Sequence, residues 1–148
     1  MIEAVIAASI LTVLFLALFF FSRILLGKML TEYAAMKAAR ARAVGLNGFM
    51  CKKAARICVV PVAGERLTPA KDDARSRELS ETALLRMYLQ TPNSAYADGL
   101  LRYKDWEKFD LTIQPDGSTE TRMEVSGVKV GGAAMVDGFP VYLHDQGL

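Results

Sequence analysis

Polar residues are almost absent from the start of the chain. Between Ala4 and Phe21, eighteen residues, only Ser9 and Thr12 carry a polar group, and after Glu3 the next charge is Arg23. At about 1.5 Å per residue that run makes roughly 27 Å of helix, close to the thickness of a bilayer's hydrocarbon core. A rod apolar on every side is too large for the core of so small a chain to hide. It is covered by lipid or by copies of itself.

The helical pattern continues past the apolar run. Gly27 to Ala43 holds good helix formers, six alanines from Ala34 onward and no proline. Leu26, Leu30, Ala34, Ala38, Ala41 and Gly45 recur at spacings of three and four, a narrow stripe of mostly small residues. Lys28, Glu32, Arg40 and Arg42 cover other faces, with Lys37 at the stripe's edge. The first break is Gly45-Leu46-Asn47-Gly48, so Ile2 to about Val44 reads as one helix over about 60 Å long.

After Cys58 the period changes. Val59 to Val62 reads as a short extended stretch, and Gly64 and Pro69 mark turns. Thr68-Pro69, followed by Asp72 and Asp73, has the form of a helix start. The helix expected from it covers roughly 70–89, with Leu84, Leu85, Met87 and Tyr88 toward a core and Thr91-Pro92-Asn93 as its end. Phe109, Leu111 and Ile113 alternate with polar residues, Pro115-Asp116-Gly117-Ser118 supplies a turn, and Thr119 to Val125 alternates again. That is a hairpin. Further short strands are expected at Val128 to Val130 and Phe139 to Leu143, separated by Gly131-Gly132 and Asp137-Gly138, with Pro140 restricting the last to an edge. The fold class is α+β: a long N-terminal helix with an apolar first half, then a small head with a helix and an antiparallel sheet. Residues 1–50 form the anchoring and assembly segment and 51–148 the head.

Charge sharpens this division. From Arg23 to Cys58 eight basic residues face one acid, Glu32, whereas Val59 to Leu148 holds ten basic and fourteen acidic residues. A basic block directly behind an apolar span commonly meets anionic head groups. With no aromatic platform interleaved, nucleic acid is not the expected partner. Nothing basic precedes the apolar run and no small-residue cleavage site follows it, so it does not read as a secretory signal. The positive-inside rule places the head in the cytoplasm as the chain stands, and removal of a basic leader reverses that orientation.

Cys51 and Cys58 are the only cysteines. On one continuous helix their Cα atoms stand about 10.5 Å apart, beyond disulfide reach, so a bridge requires the helix to break between them. A pair without further ligands nearby reads more naturally as a disulfide than as zinc, and a disulfide favours an extracytoplasmic head; two unrelated buried thiols are the simpler alternative.

No catalytic constellation assembles. His144, the single histidine, stands beside Asp145 with no nucleophile motif, and Gly131-Gly132 lies in no phosphate loop. Asp105, Glu107 and Asp110 read as a solvated face before they read as a cation site, and Trp106, Tyr103 and Phe109 as core anchors. The expectation is a non-enzymatic chain without cofactor or metal. Glu3 stands apart: at the head-group level it costs little, but among neighbouring helices it needs a proton or a partner, such as an α-amino group of its own or an adjacent copy.

A carboxylate ahead of a long apolar helix, then an alanine-rich amphipathic half and a small β-containing head, resembles type IV pilins and pseudopilins. The segments Met1-Ile2-Glu3-Ala4-Val5-Ile6 and Ala38-Ala39-Arg40-Ala41-Arg42-Ala43-Val44-Gly45 are most similar to the TadE-like proteins of tight-adherence systems. The resemblance covers about the first 45 residues. It implies a structural subunit held in the bacterial inner membrane and then polymerised into an extracellular filament. Val5, Ile6, Ile10, Leu14 and Leu18 then pack the filament core, and Glu3 pairs with a neighbour's N-terminus. It also implies a prepilin peptidase that removes a basic leader, a separate assembly ATPase, and an extracytoplasmic head. The family's glutamate is fifth in the mature chain and follows a phenylalanine start, where this chain has Glu3 and Met1. Either two residues precede this start or the N-terminal geometry differs. The other readings are a single-pass anchor carrying an extracytoplasmic binding domain, and an accessory subunit of a membrane complex. A long amphipathic continuation with a small-residue stripe speaks for a filament, since a lone anchor has no need of one.

Overall fold

The computed structural model describes residues 2–70, 73, 74 and 79–135. Its first element, α1, is a single helix from Ile2 to Ala43, about 63 Å long at the usual rise. Gly45 ends it, with a φ of 88° that glycine adopts without strain. The Leu46 N–H reaches back to the Ala41 carbonyl and the Gly45 N–H to that of Arg42, the paired bonds of a Schellman turn. Asn47 then starts α2, Gly48–Cys58, by accepting the Met50 N–H on its side chain at 2.9 Å. So short a connection turns α2 back onto α1, against which it packs.

The stretch after α2 is a 3₁₀ turn over Val60–Val62 rather than the extended segment expected. Strand β1, Arg66–Thr68, follows. Thr68 is therefore the end of a strand, not a helix cap, and the Thr68–Pro69 peptide is cis. The helix expected over 70–89 is shorter: α3 spans Glu81–Gln90 and is capped by Ser80, whose hydroxyl accepts the Ala83 N–H. Leu84 and Tyr88 are its buried residues, with Leu85 half-buried beside them. A short helix α4, Ser94–Leu100, leads to β2, Arg102–Tyr103, which pairs antiparallel with β1. A 3₁₀ turn over Lys104–Lys108 brings in Trp106.

The expected hairpin is present. β3, Asp110–Ile113, pairs antiparallel with β4, Thr119–Val125, across a turn in which Gly117 has a φ of 85°. β4 in turn pairs with β5, Val128–Ala134, giving a three-stranded meander in the order β3-β4-β5. Gly131 and Gly132 lie inside β5, not between strands. The strand expected at Phe139 to Leu143, with Pro140, Asp137, Gly138, His144 and Asp145, falls outside the described residues. So do Met1 and Asp72.

The core lies between the rear half of α1, α2, α3 and the inner face of the sheet. Ala34, Ala38, Ala55, Val59, Leu84, Tyr88, Leu101, Trp106, Phe109, Met123 and Val125 belong to it. Trp106 is its centre, with the Tyr88 and Tyr103 rings 5.2 and 4.9 Å from it, which agrees with the anchoring expected of Trp106, Tyr103 and Phe109. The head is thus built on α1 itself, whose residues from Gly27 onward are part of its packing.

Candidate functional site

Two halves of α1 have opposite surroundings. The first half touches nothing in its own chain: the eighteen-residue apolar window is 0% buried, and α1 is long and apolar enough by length and composition to cross a membrane. Glu3, Val5, Ile6, Ile10, Leu14 and Leu18, the residues expected to act in assembly, all lie on this stretch and are exposed. The structure brings them onto one rod without assigning them a partner. The rod's two polar side chains turn inward on the helix: the Ser9 hydroxyl donates to the Val5 carbonyl and the Thr12 hydroxyl to that of Ala8, both at 2.8 Å. These hydroxyls therefore ask nothing of an apolar surrounding.

The second half is held by the head. Gly27, Thr31, Ala34, Ala35, Ala38 and Ala39 are its buried residues. The small stripe that spoke for contact with other copies is largely consumed within the chain, since Ala34 and Ala38 are fully buried there. Only small side chains let a sheet approach a helix this closely. Gly132 of β5 sits so near α1 that a Cβ on it would stand 2.4 Å from the Glu32 Cα, far inside van der Waals contact. The Thr119 hydroxyl of β4 donates to the Ala35 carbonyl at 2.8 Å, and that of Thr121 to the Thr31 carbonyl at 2.7 Å. The alternation of β4 showed which face of the strand carries Met123 and Val125, but not that the threonines beside them would reach a helix backbone.

The basic block divides in the same way. Arg23 and Lys28 lie at the exit of the apolar run, exposed, as a head-group contact requires. Lys53 and Arg56 do not. Lys53 is 1% exposed, between the rings of Phe49 and Tyr88 at 5.1 and 4.9 Å, and its ammonium donates to the Leu89 and Thr91 carbonyls at the end of α3. Burial lowers its pKa. Arg56 stacks over Trp106 at 5.8 Å and pairs with Asp98 at 3.4 Å. Both serve the head's interior, which charge counting along the sequence could not separate from a lipid-facing role.

The disulfide expected of Cys51 and Cys58 is not formed. Both lie on α2, which runs unbroken through them, and both are free. Their thiols donate to the Leu46 and Ala54 carbonyls, at 3.6 and 3.3 Å. Burial raises the pKa of each, partly offset by Arg42 near Cys51 and Lys37 near Cys58. The bridge therefore gives no support to an extracytoplasmic head.

Among the described residues no group of three His, Cys, Asp or Glu side chains could hold a metal. Asp105 pairs with Lys108 at 3.1 Å, and Glu107 pairs with Arg102. No family model, curated protein or solved structure matches this chain. The class that fold and site define is an α+β head fixed to one end of a long helix whose other end is long and apolar enough to span a membrane.

Proposed function

We propose that this chain is a structural subunit of a type IV-like pilus of the tight-adherence kind. Its rod anchors it in the bacterial inner membrane and then bundles with copies of itself in a filament. The single observation that carries the reading is the apolar half-helix that is 0% buried in its own chain and continuous with a helix built into the head. A rod attached this rigidly transmits any axial displacement of the helix to the head, which then decorates the filament surface. The reading also draws on the resemblance of the first 45 residues. In it, Val5, Ile6, Ile10, Leu14 and Leu18 form the helix contacts, and Glu3 pairs with a neighbouring N-terminus. Processing by a prepilin peptidase and extrusion by a separate ATPase complete it. Its mechanism is polymerisation, not catalysis.

One observation favours the second reading, a single-pass anchor with an extracytoplasmic binding head. The alanine stripe, which would have had no use in a lone anchor, is covered by the head of the same chain. Electron microscopy of material sheared from cells that express the chain, with mass spectrometry of its N-terminus, separates the two. Filaments that contain the chain, beginning within two residues of Met1, support the pilus. A chain that stays in the membrane fraction with no filaments supports the anchor.

A further inference from the structure

Opposite the head, α1 keeps a second apolar face. Leu26, Met29, Tyr33 and Met36 recur at spacings of three, four and three, and all are exposed, Met29 by 68%. In heptad terms Leu26 and Tyr33 are a positions and Met29 and Met36 are d positions. The same register runs back into the apolar rod through Phe19 and Ser22 to Thr12 and Phe15. The residues that the head buries, Gly27, Thr31, Ala34, Ala35, Ala38 and Ala39, fall at b, f, b, c, f and g, so that only Ala39 reaches a flank of the seam. The head has therefore taken the back of the helix and left its seam open.

Charge distinguishes what covers the seam. Lipid hydrocarbon does not reach it: Met29 lies about 9 Å and Met36 about 20 Å beyond Arg23. Lys28, Glu32 and Lys37 are interspersed along the same stretch. A helix presenting the same seam does fit. Glu32 is a g position and Lys37 is the e position five residues later, the relation that pairs across two parallel strands in register. Both stand at the seam's flanks, Glu32 at 4.0 Å from Lys28 and Lys37 over the Tyr33 ring at 5.2 Å. Insertion in one membrane also aligns two copies in parallel and raises their effective concentration, which so short a seam requires. Arg40, the next a position, is a cation in both copies and ends the contact.

We infer that two copies of this chain pair in parallel and in register through Leu26, Met29, Tyr33 and Met36, just outside the membrane, with Glu32 of each copy facing Lys37 of the other. The inference rests on the membrane-spanning part of the proposed function and not on the filament.

The test is oxidative cross-linking of the full chain in native membranes. Met29→Cys is placed in a Cys51→Ala, Cys58→Ala background, with Lys28→Cys, an exposed c position, as control. M29C dimers form and K28C dimers do not. Adding Glu32→Lys or Lys37→Glu lowers the M29C cross-link by about five-fold, the size two exposed ion pairs can supply. The combined charge swap restores it. Sedimentation of the E32K, K37E and doubly swapped chains in mild detergent, native cysteines kept, repeats the comparison without the alanine background. Equal cross-linking at both positions, a swap that fails to restore it, or M29C captured by a different protein each overturns the inference. M29C that joins only to positions a heptad or more away does the same while leaving a staggered filament standing. A chain found in the soluble fraction overturns the membrane reading as well, a result distinct from membrane-bound monomers.

Discussion

The hydroxyl of Thr121 donates a 2.7 Å hydrogen bond to the main-chain carbonyl of Thr31, ninety residues earlier in the chain. Both residues are buried, and four residues further along α1 Thr119 repeats the contact on Ala35. The sheet thus grips the backbone of the long helix, not merely its side chains. Thr121→Val keeps the shape and removes the donor. The Thr31 carbonyl remains within the helical ladder, so the loss is about 1 kcal/mol. Urea unfolding in detergent, followed through the single tryptophan, Trp106, measures it.

Gly132→Ala tests the closeness of that grip. The added carbon meets helix backbone at 2.4 Å, where no rotamer can yield, so the sheet must move off α1 at a cost of about 3 kcal/mol. Gly99→Ala is the matched control: it meets open space inside α4 and raises stability by about 0.5 kcal/mol. Equal effects at the two sites would show that the sheet does not lie on the helix as described.

Lys53 completes the end of α3 from another helix. Lys53→Met fills the same slot between Phe49 and Tyr88 but leaves the Leu89 and Thr91 carbonyls without their donor. A net loss of about 2 kcal/mol is expected for charge-assisted bonds of this kind. Hydrogen exchange should speed first at the Tyr88, Leu89 and Gln90 amides, with the sheet unaffected.

Stability falls above about pH 9. Burial raises the thiol pKa values of Cys51 and Cys58 from 9.0, and burial also raises those of Tyr88 and Tyr103, the latter reinforced by its bond to Glu81. A raised acid contributes stability that is complete below its unfolded pKa and lost as pH rises through the folded one. Lys53 works the other way, because its lowered pKa makes its charged form costly until the pH climbs toward 10.5. The two thiols begin the loss near pH 9, and the two tyrosines add to it only above pH 10. Chemical denaturation between pH 7 and 10 should show the decline, and Cys51→Ala with Cys58→Ala should flatten its early part. Reducing agent should change nothing, since there is no bridge to open.

Glu3→Ala addresses assembly alone. The side chain is exposed in the first turn of α1, so its loss leaves folding and membrane insertion intact. Filaments should disappear or lose their register. Normal filaments from this variant would remove the pairing role from the proposal.

Much of the outline is legible in local pattern. α1 and its stop at Gly45 follow from alanine content, the missing proline and a glycine that accepts positive φ. The β3–β4 hairpin follows from alternation and its Asp116-Gly117 turn. Legibility fails where a distant element outweighs local preference. Thr68-Pro69 has the composition of a helix start, yet pairing of β1 with β2 holds Thr68 in a strand, and Ser80 caps the helix instead. Gly131-Gly132 reads as a break, yet β4 supplies a full ladder and α1 needs the missing side chain at Gly132.

An uninterrupted apolar rod leading into an amphipathic helix and a small α+β head is written in local pattern, because hydrophobic period and turn chemistry are properties of neighbouring residues. Which surfaces remain open is set by packing between distant elements. The alanine stripe is occupied by the head, Lys53 is interior, Arg56 lies half-buried over Trp106, the cysteines stay apart on one helix, and the seam centred on Met29 is left uncovered. Burial depends on what returns from far along the chain, and no spacing within a single helix encodes that.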